Sequence, residues 1–435
     1  MQAALRLLLL SIGASSASLI FDGLIVQALV AATLAAAVAA VALAVPPGEA
    51  GYLRSIFRPI ALVLAVPAIW MLIQVLPLKF AGLAHPIWDS AAAALGRPIG
   101  GSISVDPGTT LVSLCGYLSA AASMFAAAAV AIDRQRAKWL LFTLTGVTSL
   151  IAIVAIIHPF AGFALSHRLD GVRASGAARS CVAMGAIFSA ATAIRAFDIY
   201  ERGRGSGDAF GVKDFAALIA PLTAFAACTI ALALNATGQL VFAAGWGLAA
   251  LAALVAIRRL GLGPWGYSAI AATALITAVS IVAPQFELRT AELTLAFATH
   301  APRPLVSITQ RILADGTWTG TGAGTFAALV PIYRDADDLI ADAVAPTVAA
   351  AVTVEMGRPM LAAAVIAIIA GIFVLLRGAV RRGRDSFHPA AGAGCLVVLL
   401  LLSFCEAGLF NTAVSTIAAA VVGLAFAQGQ SRASR

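Results

Sequence analysis

Long runs of apolar residues, separated by short polar segments, are the dominant pattern of this 435-residue chain. Many of the runs reach about 20 residues, the length at which an α-helix crosses the hydrocarbon core of a bilayer. None shows the short two-residue alternation of an outer-membrane barrel strand. The pattern predicts an all-α polytopic integral membrane protein whose single transmembrane domain covers residues 1–435. Its twelve predicted spans are 3–21, 24–45, 58–78, 109–132, 138–157, 179–197, 215–234, 238–256, 266–284, 359–377, 389–408 and 411–427.

The composition supports this interpretation. Apolar residues make up 61% of the chain and charged residues 11%, against roughly 45–50% and about 25% in soluble domains. These values exclude a cytosolic enzyme, a secreted disulfide scaffold and a disordered chain. The first apolar run resembles a signal peptide, but a second run follows almost at once, so we expect it to be retained as a helix.

The basic residues predict the orientation of the chain. Its 25 Arg and 3 Lys occur in small groups, and two predicted spans separate each group from the next. All the groups therefore lie on one side of the membrane, which the positive-inside rule identifies as the cytoplasm, together with both termini. Charges that flank spans in this way also argue against nucleic-acid binding, despite the net charge of +8.

Two predicted outer loops are long enough to carry chemistry. One covers residues 79–108, and the other covers residues 285–358, between the ninth and tenth spans. The five cysteines lie in or beside apolar runs without metal-ligand spacing, so we expect no metal site. We expect any active site to lie in these outer loops.

Arginines in the outer segments run against the orientation bias and therefore need another explanation. Arg311 and Arg334 lie in the longest loop, and Arg173 and Arg179 lie in and beside the loop before the sixth span. The planar guanidinium donates two parallel hydrogen bonds and suits phosphate groups. These four arginines are candidate ligands of a lipid-linked pyrophosphate. The alternative is pairing with nearby acids, notably Asp335, Asp337, Asp338 and Asp342.

The most distinctive local motif is Trp-Thr-Gly-Thr-Gly-Ala-Gly-Thr-Phe at residues 318–326. Its three alternate glycines, Gly320, Gly322 and Gly324, allow close backbone approach and unusual dihedral angles. The motif lacks the Gly-Lys-Ser/Thr ending of a nucleotide-binding P-loop. A glycine-rich turn that directs backbone amides at an anionic head group is the alternative.

The order of these motifs resembles the O-antigen ligase and polysaccharide polymerase family. The resemblance covers roughly residues 80–380. It is carried by His-Pro-Ile-Trp at 85–88, Ser-Val-Asp-Pro at 104–107 and the glycine motif. A predicted helix before the tenth span also carries it, and this helix reads Ala-Pro-Thr at 345–347 and Val-Glu-Met-Gly-Arg-Pro at 354–359. The twelve spans and the long loop after the ninth span are also typical of this family.

The resemblance implies a glycosyltransferase of the bacterial inner membrane. Such an enzyme moves a glycan from a polyprenyl pyrophosphate at the periplasmic face to a saccharide, which is lipid A-core for ligases or a second lipid-linked repeat for polymerases. It implies no metal and no cofactor. It also implies that outer-loop arginines bind the pyrophosphate, a role carried here to Arg311 and Arg179.

The chain departs from the family at the loop histidine that is usually assigned to acceptor activation, because Pro346 occupies that position. The family's Asn-Arg-Asn marker corresponds here to Ala178-Arg179-Ser180. Glu355 matches a common family glutamate. Its two possible roles are that of a catalytic residue and that of a capping partner between loop and helix. His300 is a candidate replacement base. Further candidate bases are His85, His158, His167, Asp337 and Asp338.

Two other functions remain open. A lipid-linked glycan transporter or flippase would explain the many spans, but few charges are placed near the predicted midplane, where coupled transporters need them. Glu406 is the nearest example, and a tight outer turn accounts for it. A non-catalytic family member that binds lipid-linked glycan would explain the missing histidine.

Overall fold

The computed structural model describes residues 1–21, 23–45, 47–77, 84–157, 176–206, 212–234, 237–259, 294–298, 301–335, 344–381 and 386–429, and the regular structure among these residues is helical. Its α-helices are α1 (Gln2–Ser16), α2 (Leu24–Ala44), α3 (Pro47–Val75), α4 (Ile87–Leu95), α5 (Pro107–Val130), α6 (Arg134–Ile157), α7 (Gly176–Ser206), α8 (Val212–Leu234), α9 (Gly238–Arg259), α10 (Arg303–Asp315), α11 (Phe326–Tyr333), α12 (Val348–Met356), α13 (Arg358–Arg381), α14 (Phe387–Ser403) and α15 (Thr412–Gly429). Short 3-10 turns cover Ala17–Leu19 and Gly408–Phe410.

Nine helices of the described residues are long and apolar enough to cross a membrane, and α8 and α14 contain shorter apolar segments, Leu218–Leu234 and Phe387–Ser403. The chain is therefore a polytopic membrane protein, as predicted. These eleven segments correspond to eleven of the predicted spans. The predicted span at 266–284 lies outside the described residues, so the count of twelve stays a prediction.

The core of the bundle forms around α7, which packs against α6, α8, α9 and α14. Its interior side chains are mostly small or aliphatic, and Met184, Ile187 and Phe188 are fully buried. Close helix contacts depend on small residues, as is usual in membranes. At Gly423 on α15, for example, a Cβ atom would lie 2.1 Å from the backbone oxygen of Met124 on α5.

The periphery of the bundle consists of α2, α3 and α13. Only 6% of the most apolar segment of α13 is buried, and 11% of that of α3. Side chains such as Ile366 and Phe373 on α13 and Leu62 on α3 are more than half exposed. Because these helices are long and apolar enough to cross a membrane, their exposed apolar side chains face lipid.

Segments that the sequence places outside the membrane contact one another at one end of the bundle. The backbone N–H of Val105 donates to the oxygen of Thr321 at 2.9 Å, and that of Val348 donates to the oxygen of Glu406 at 3.1 Å. At the opposite end, the Gln428 amide donates to the backbone oxygen of Ala131. Predicted outer segments thus meet at one end of the bundle and predicted inner segments at the other. The assignment of each end to a compartment stays a prediction.

We name residues 301–335 and 344–357 the outer cap. It contains α10, α11 and α12, which pack around a small hydrophobic core. This core is formed by Leu295, Ala298, Leu305, Ile308, Ile312, Leu313, Phe326, Leu329, Val330, Ala345, Ala350, Ala351 and Val354. The amphipathic sequence of α10 explains this arrangement, because its apolar residues recur every three or four positions. The long loop is thus partly a folded unit. The helix expected after residue 345 is present as α12, while α10 and α11 were not predicted.

Candidate functional site

The glycine motif joins the outer cap to the membrane bundle. Thr321 donates its N–H to the backbone oxygen of Val354 at 3.0 Å, and Gly322 donates to that of Glu355 at 2.9 Å. On its other side, the backbone oxygen of Thr321 accepts the N–H of Val105, just before α5. The motif therefore lies between α12 and the start of a membrane span.

All three alternate glycines adopt dihedral angles that other residues rarely reach. The φ angles are +75° at Gly320, +107° at Gly322 and +80° at Gly324. A Cβ atom would lie 2.3 Å from the Glu355 backbone oxygen at Gly320, and 2.4 Å from the Ser104 hydroxyl at Gly322. Both the backbone conformation and the lack of space therefore require glycine here.

The backbone amides of this segment are used within the protein. Gly320 donates to Thr317, and Thr325 donates to Gly322. Ala323 donates to the side-chain oxygen of Gln74 at 3.3 Å. Gly324 and Phe326 donate to the Glu355 carboxyl group. Together with the N–H groups of Thr321 and Gly322, these bonds occupy every amide from 320 to 326, so the geometry favours a packing role for the glycines over direct anion binding.

Glu355 connects the glycine motif to α12. Its side chain is only 9% exposed, and its Oε1 accepts the N–H of Phe326, the first residue of α11, at 3.2 Å. This is the capping role considered for this residue. Burial raises the pKa of Glu355 to about 7, while the hydrogen bonds from Gly324 and Phe326 lower it in part. Because the carboxyl is buried and already bonded, it positions the loop, and contact with a substrate stays a prediction.

The raised pKa of Glu355 predicts how the stability of the outer cap depends on pH. A carboxyl whose folded pKa lies above its unfolded pKa stabilises the fold fully at low pH. That stabilisation is lost as the pH rises through the folded value of about 7. We expect the cap to be less stable at about pH 8 than at about pH 5, on the order of 3 kcal/mol at most.

Thermal unfolding of the purified protein across this pH range measures the effect. Glu355→Gln keeps a hydrogen-bond acceptor but does not titrate, so its unfolding midpoint should change much less between the two conditions. An equal pH dependence in the wild type and in Glu355→Gln would contradict the assignment.

Gln74 and Ser104 also belong to this site. Ser104 begins the Ser-Val-Asp-Pro motif at 104–107, but its contact with the glycine motif was not predicted, and Gln74 was not identified from the sequence. The Gln74 amide nitrogen donates to the backbone oxygens of Thr319 at 3.1 Å and Glu355 at 2.8 Å. The Ser104 hydroxyl lies 2.8 Å from that of Thr110. A glutamine near the outer end of an otherwise apolar span was the available signal, because a polar group at this depth needs partners.

Arg311 and Arg334 lie together on the exposed side of the outer cap. The Arg311 guanidinium donates to both carboxylate oxygens of Asp335, at 3.1 and 2.7 Å, and to the backbone oxygen of Tyr333. These bonds lower the pKa of Asp335. Arg334 is exposed at the C-terminal end of α11. Pairing with an acid, the alternative considered for Arg311, is therefore observed.

Arg179 forms a separate ion pair and is mostly buried. Its Nη2 donates to Glu406 Oε2 at 2.9 Å, and the two side chains are 19% and 7% exposed. The Nε of Arg179 is buried and has no hydrogen-bond partner in the structure. The backbone oxygen of Glu406 also accepts the N–H of Val348, the first residue of α12. The pair therefore lies where α7, the α14–α15 turn and the outer cap meet.

The remaining candidates divide into two groups. Pro346 is buried beside α12, and Thr347 caps that helix by accepting the N–H of Ala350 at 3.1 Å. His85 is half-buried, and burial lowers its pKa. The candidates that lie outside the described residues are Arg173, His300, His158, His167, Asp337 and Asp338. No cluster of three or more His, Cys, Asp or Glu suited to a metal occurs among the described residues.

Comparison with known proteins adds no family to this picture, because the chain matches no family model and no curated protein.

Proposed function

We propose that the protein is a glycosyltransferase that moves a glycan from a polyprenyl pyrophosphate to a saccharide acceptor at the outer, periplasmic face of a bacterial inner membrane. In this reaction an acceptor hydroxyl attacks the anomeric carbon of the donor sugar. The bond from that carbon to the phosphate oxygen breaks, the pyrophosphate leaves with the bonding electrons, and the hydroxyl proton passes to a base. Positive charge near the leaving group lowers the barrier.

The main support for this proposal is the bidentate ion pair between Arg311 and Asp335. The guanidinium donates two parallel hydrogen bonds to a carboxylate, which is the arrangement it would form with two oxygens of a phosphate. Their side chains are 45% and 66% exposed, and exposed ion pairs contribute little net stability. An incoming pyrophosphate can therefore replace Asp335 at small cost.

The neighbourhood of Arg311 supports a diphosphate in preference to a single phosphate. The Arg311 guanidinium donates to the backbone oxygen of Tyr333, the last residue of α11. Arg334 is the next residue in the chain, so the two arginines lie close together. Two arginines in adjacent positions suit a group with two phosphates. The folded outer cap holds both residues at the end of the bundle, where a lipid-linked head group would leave the bilayer.

A transporter or flippase is less well supported by the described spans. No acidic residue lies in the middle of any of them. Transport that is coupled to protons or ions normally needs such groups near the midplane. The charged candidates instead lie at the outer end of the bundle, as a surface reaction requires.

The test measures transfer of a glycan from polyprenyl pyrophosphate by the purified full-length protein in proteoliposomes. We expect Arg311→Ala to lower the rate by about 100-fold, the usual loss when one donor to a developing negative charge is removed. Arg303→Ala is the matched control, because Arg303 is also exposed on α10. Full activity of Arg311→Ala, or an equal loss in Arg303→Ala, would remove the support for the pyrophosphate role.

In cells, the surface glycan of a deletion strain provides the complementary measurement. Shortening of the polymer that only the wild-type gene restores supports glycan transfer, whereas complete loss is also expected for a flippase. Unchanged glycans in the deletion strain would contradict glycan transfer and would favour the non-catalytic alternative.

A further inference from the structure

A groove between three membrane helices lies outside the candidate site and is independent of the proposed function. It is formed by α6, α7 and α8, has a volume of about 280 Å³, and is lined by residues that include Phe142, Gly146, Ile153, Thr192 and Pro221. All three helices belong to the membrane bundle, so the groove opens toward lipid.

The sequence explains why the groove forms here. Pro221 lies inside α8, which continues as a helix through it, and a proline removes one backbone hydrogen bond at this point. The facing residues are small, and a Cβ atom at Gly146 would meet nothing within 4 Å. By contrast, a Cβ at Gly185 on α7 would lie 2.8 Å from Thr148. The helices α6 and α7 are therefore in close contact at Gly185, whereas the space in front of Gly146 stays open.

The polar atoms in the groove do not require a polar ligand. The hydroxyls of Thr145, Ser149, Thr192 and Thr223 donate to backbone oxygens of their own helices, at 2.9, 2.6, 2.9 and 2.9 Å. Each hydroxyl has one proton to donate, and that proton is used. A hydrocarbon chain in the groove would therefore leave no donor unsatisfied.

The length of the groove fits one lipid tail. Phe142 and Ile153 line its two ends on α6, which is a separation of about 16 Å at 1.5 Å per residue. Half of a hydrocarbon core of about 30 Å is close to the same length. The groove thus matches an acyl chain from a single leaflet.

The end of the groove at Phe142 holds basic residues together with three acids, Asp133, Asp198 and Glu201. The guanidinium carbon of Arg195 lies 5.7 Å from the centre of the Phe142 ring and 5.3 Å from that of Phe387. The first turns of α6 add Arg134 and Lys138 at the same end of that helix. A phosphate head group is the natural partner of basic residues at a membrane interface.

From these observations we infer that the α6–α8 groove binds the acyl chain of an anionic phospholipid of the surrounding bilayer, with the phosphate beside Arg195. The lipid belongs to the leaflet at the Phe142 end, which is the predicted cytoplasmic side. It fills the space that Pro221 and Gly146 leave between α6 and α8, and thereby supports the packing of these helices.

Native mass spectrometry of the full-length protein tests this inference. The probes are palmitoyl-oleoyl phosphatidylglycerol and phosphatidylcholine with the same chains. We expect one tightly retained phosphatidylglycerol, with phosphatidylcholine retained more weakly. Equal retention of both lipids would overturn the anionic head group.

Two variants that fill the groove test its location. Gly146→Leu and Thr223→Leu should each lower phosphatidylglycerol retention by about tenfold, because the new side chain occupies the space of the lipid tail. Gly116→Leu is the matched control, since a Cβ at Gly116 on α5 also meets nothing within 4 Å but lies outside the groove. Unchanged retention in both groove variants, or an equal loss in the control, would overturn the site.

Two further measurements separate the sources of the ligand. Arg195→Gln should remove the preference for phosphatidylglycerol, while Arg195→Lys should keep it, and a preference that survives Arg195→Gln would contradict the head-group assignment. Addition of a polyprenyl phosphate should not displace the phospholipid. If it does so at equal concentration, the groove belongs to the carrier lipid and the inference is wrong.

Discussion

Gly320→Ala is expected to separate the glycine motif from α12. A Cβ at this position would lie 2.3 and 2.5 Å from the backbone oxygen and carbon of Glu355, and 2.7 Å from the nitrogen of Met356. All three are backbone atoms, so no side-chain rotation relieves the contact. We expect the free energy of unfolding of the outer cap to fall by about 3–5 kcal/mol, the range of severe steric and backbone effects.

Gly96→Ala distinguishes the steric contact from the dihedral strain. Gly96 also has a positive φ angle, +62°, but a Cβ there would meet nothing within 4 Å. It should therefore cost only about 1 kcal/mol, the penalty for a left-handed conformation. Thermal unfolding, together with trypsin cleavage at the exposed arginines of the cap, measures both variants. Equal behaviour of the two variants would show that Gly320 does not approach Glu355 as described.

Glu406→Gln is expected to have the second large effect. It leaves the Arg179 guanidinium mostly buried and without the charge that compensates it. Removing one member of a buried ion pair typically costs about 3–5 kcal/mol, and the partial exposure of Arg179 places the expectation at about 3 kcal/mol. The loss should appear as a lower unfolding midpoint, since α7, α12 and the α14–α15 turn meet at this pair.

The double variant Arg179→Met with Glu406→Met provides the internal test. Replacing both charges by apolar side chains of similar size is often neutral, so this protein should recover most of the stability that Glu406→Gln loses. Asp133→Asn serves as the control for an exposed pair, because the Arg136–Asp133 contact of 3.7 Å is partly solvated. It should remain close to the wild type. A double variant as unstable as Glu406→Gln would indicate that the charges are needed for a reason other than mutual compensation.

The membrane helices were predictable because their signal is local. An apolar run such as 24–45 must be helical in lipid, where every backbone polar group needs a partner within its own segment, and α2 ends within one residue of that prediction. Short helices outside the membrane were not predictable in this way. The helix α12 was expected only from the family resemblance, because its sequence has little local signal. In the structure, Thr347 caps it and it packs within the outer cap.

The candidate site was predicted only in part, because its contacts join distant positions. Glu355 and the three glycines were identified from the motif, but their mutual contact follows from tertiary packing. Arg179 and Glu406 were considered separately, and 227 positions separate them. Two charges at the outer ends of two predicted spans were the available signal. Sequence distance alone gave no reason to pair them.

The contacts of Gln74 have a consequence for the order in which the protein assembles during synthesis. Its side chain bonds to residues 245 and 281 positions later in the chain. When α3 enters the membrane, the ribosome has not yet made the glycine motif, so the amide of Gln74 must be hydrated or held by the insertion machinery. Closure of the outer end of the bundle is therefore a late step, and nascent chains that stop before residue 326 should be recognised by cellular quality control as incomplete.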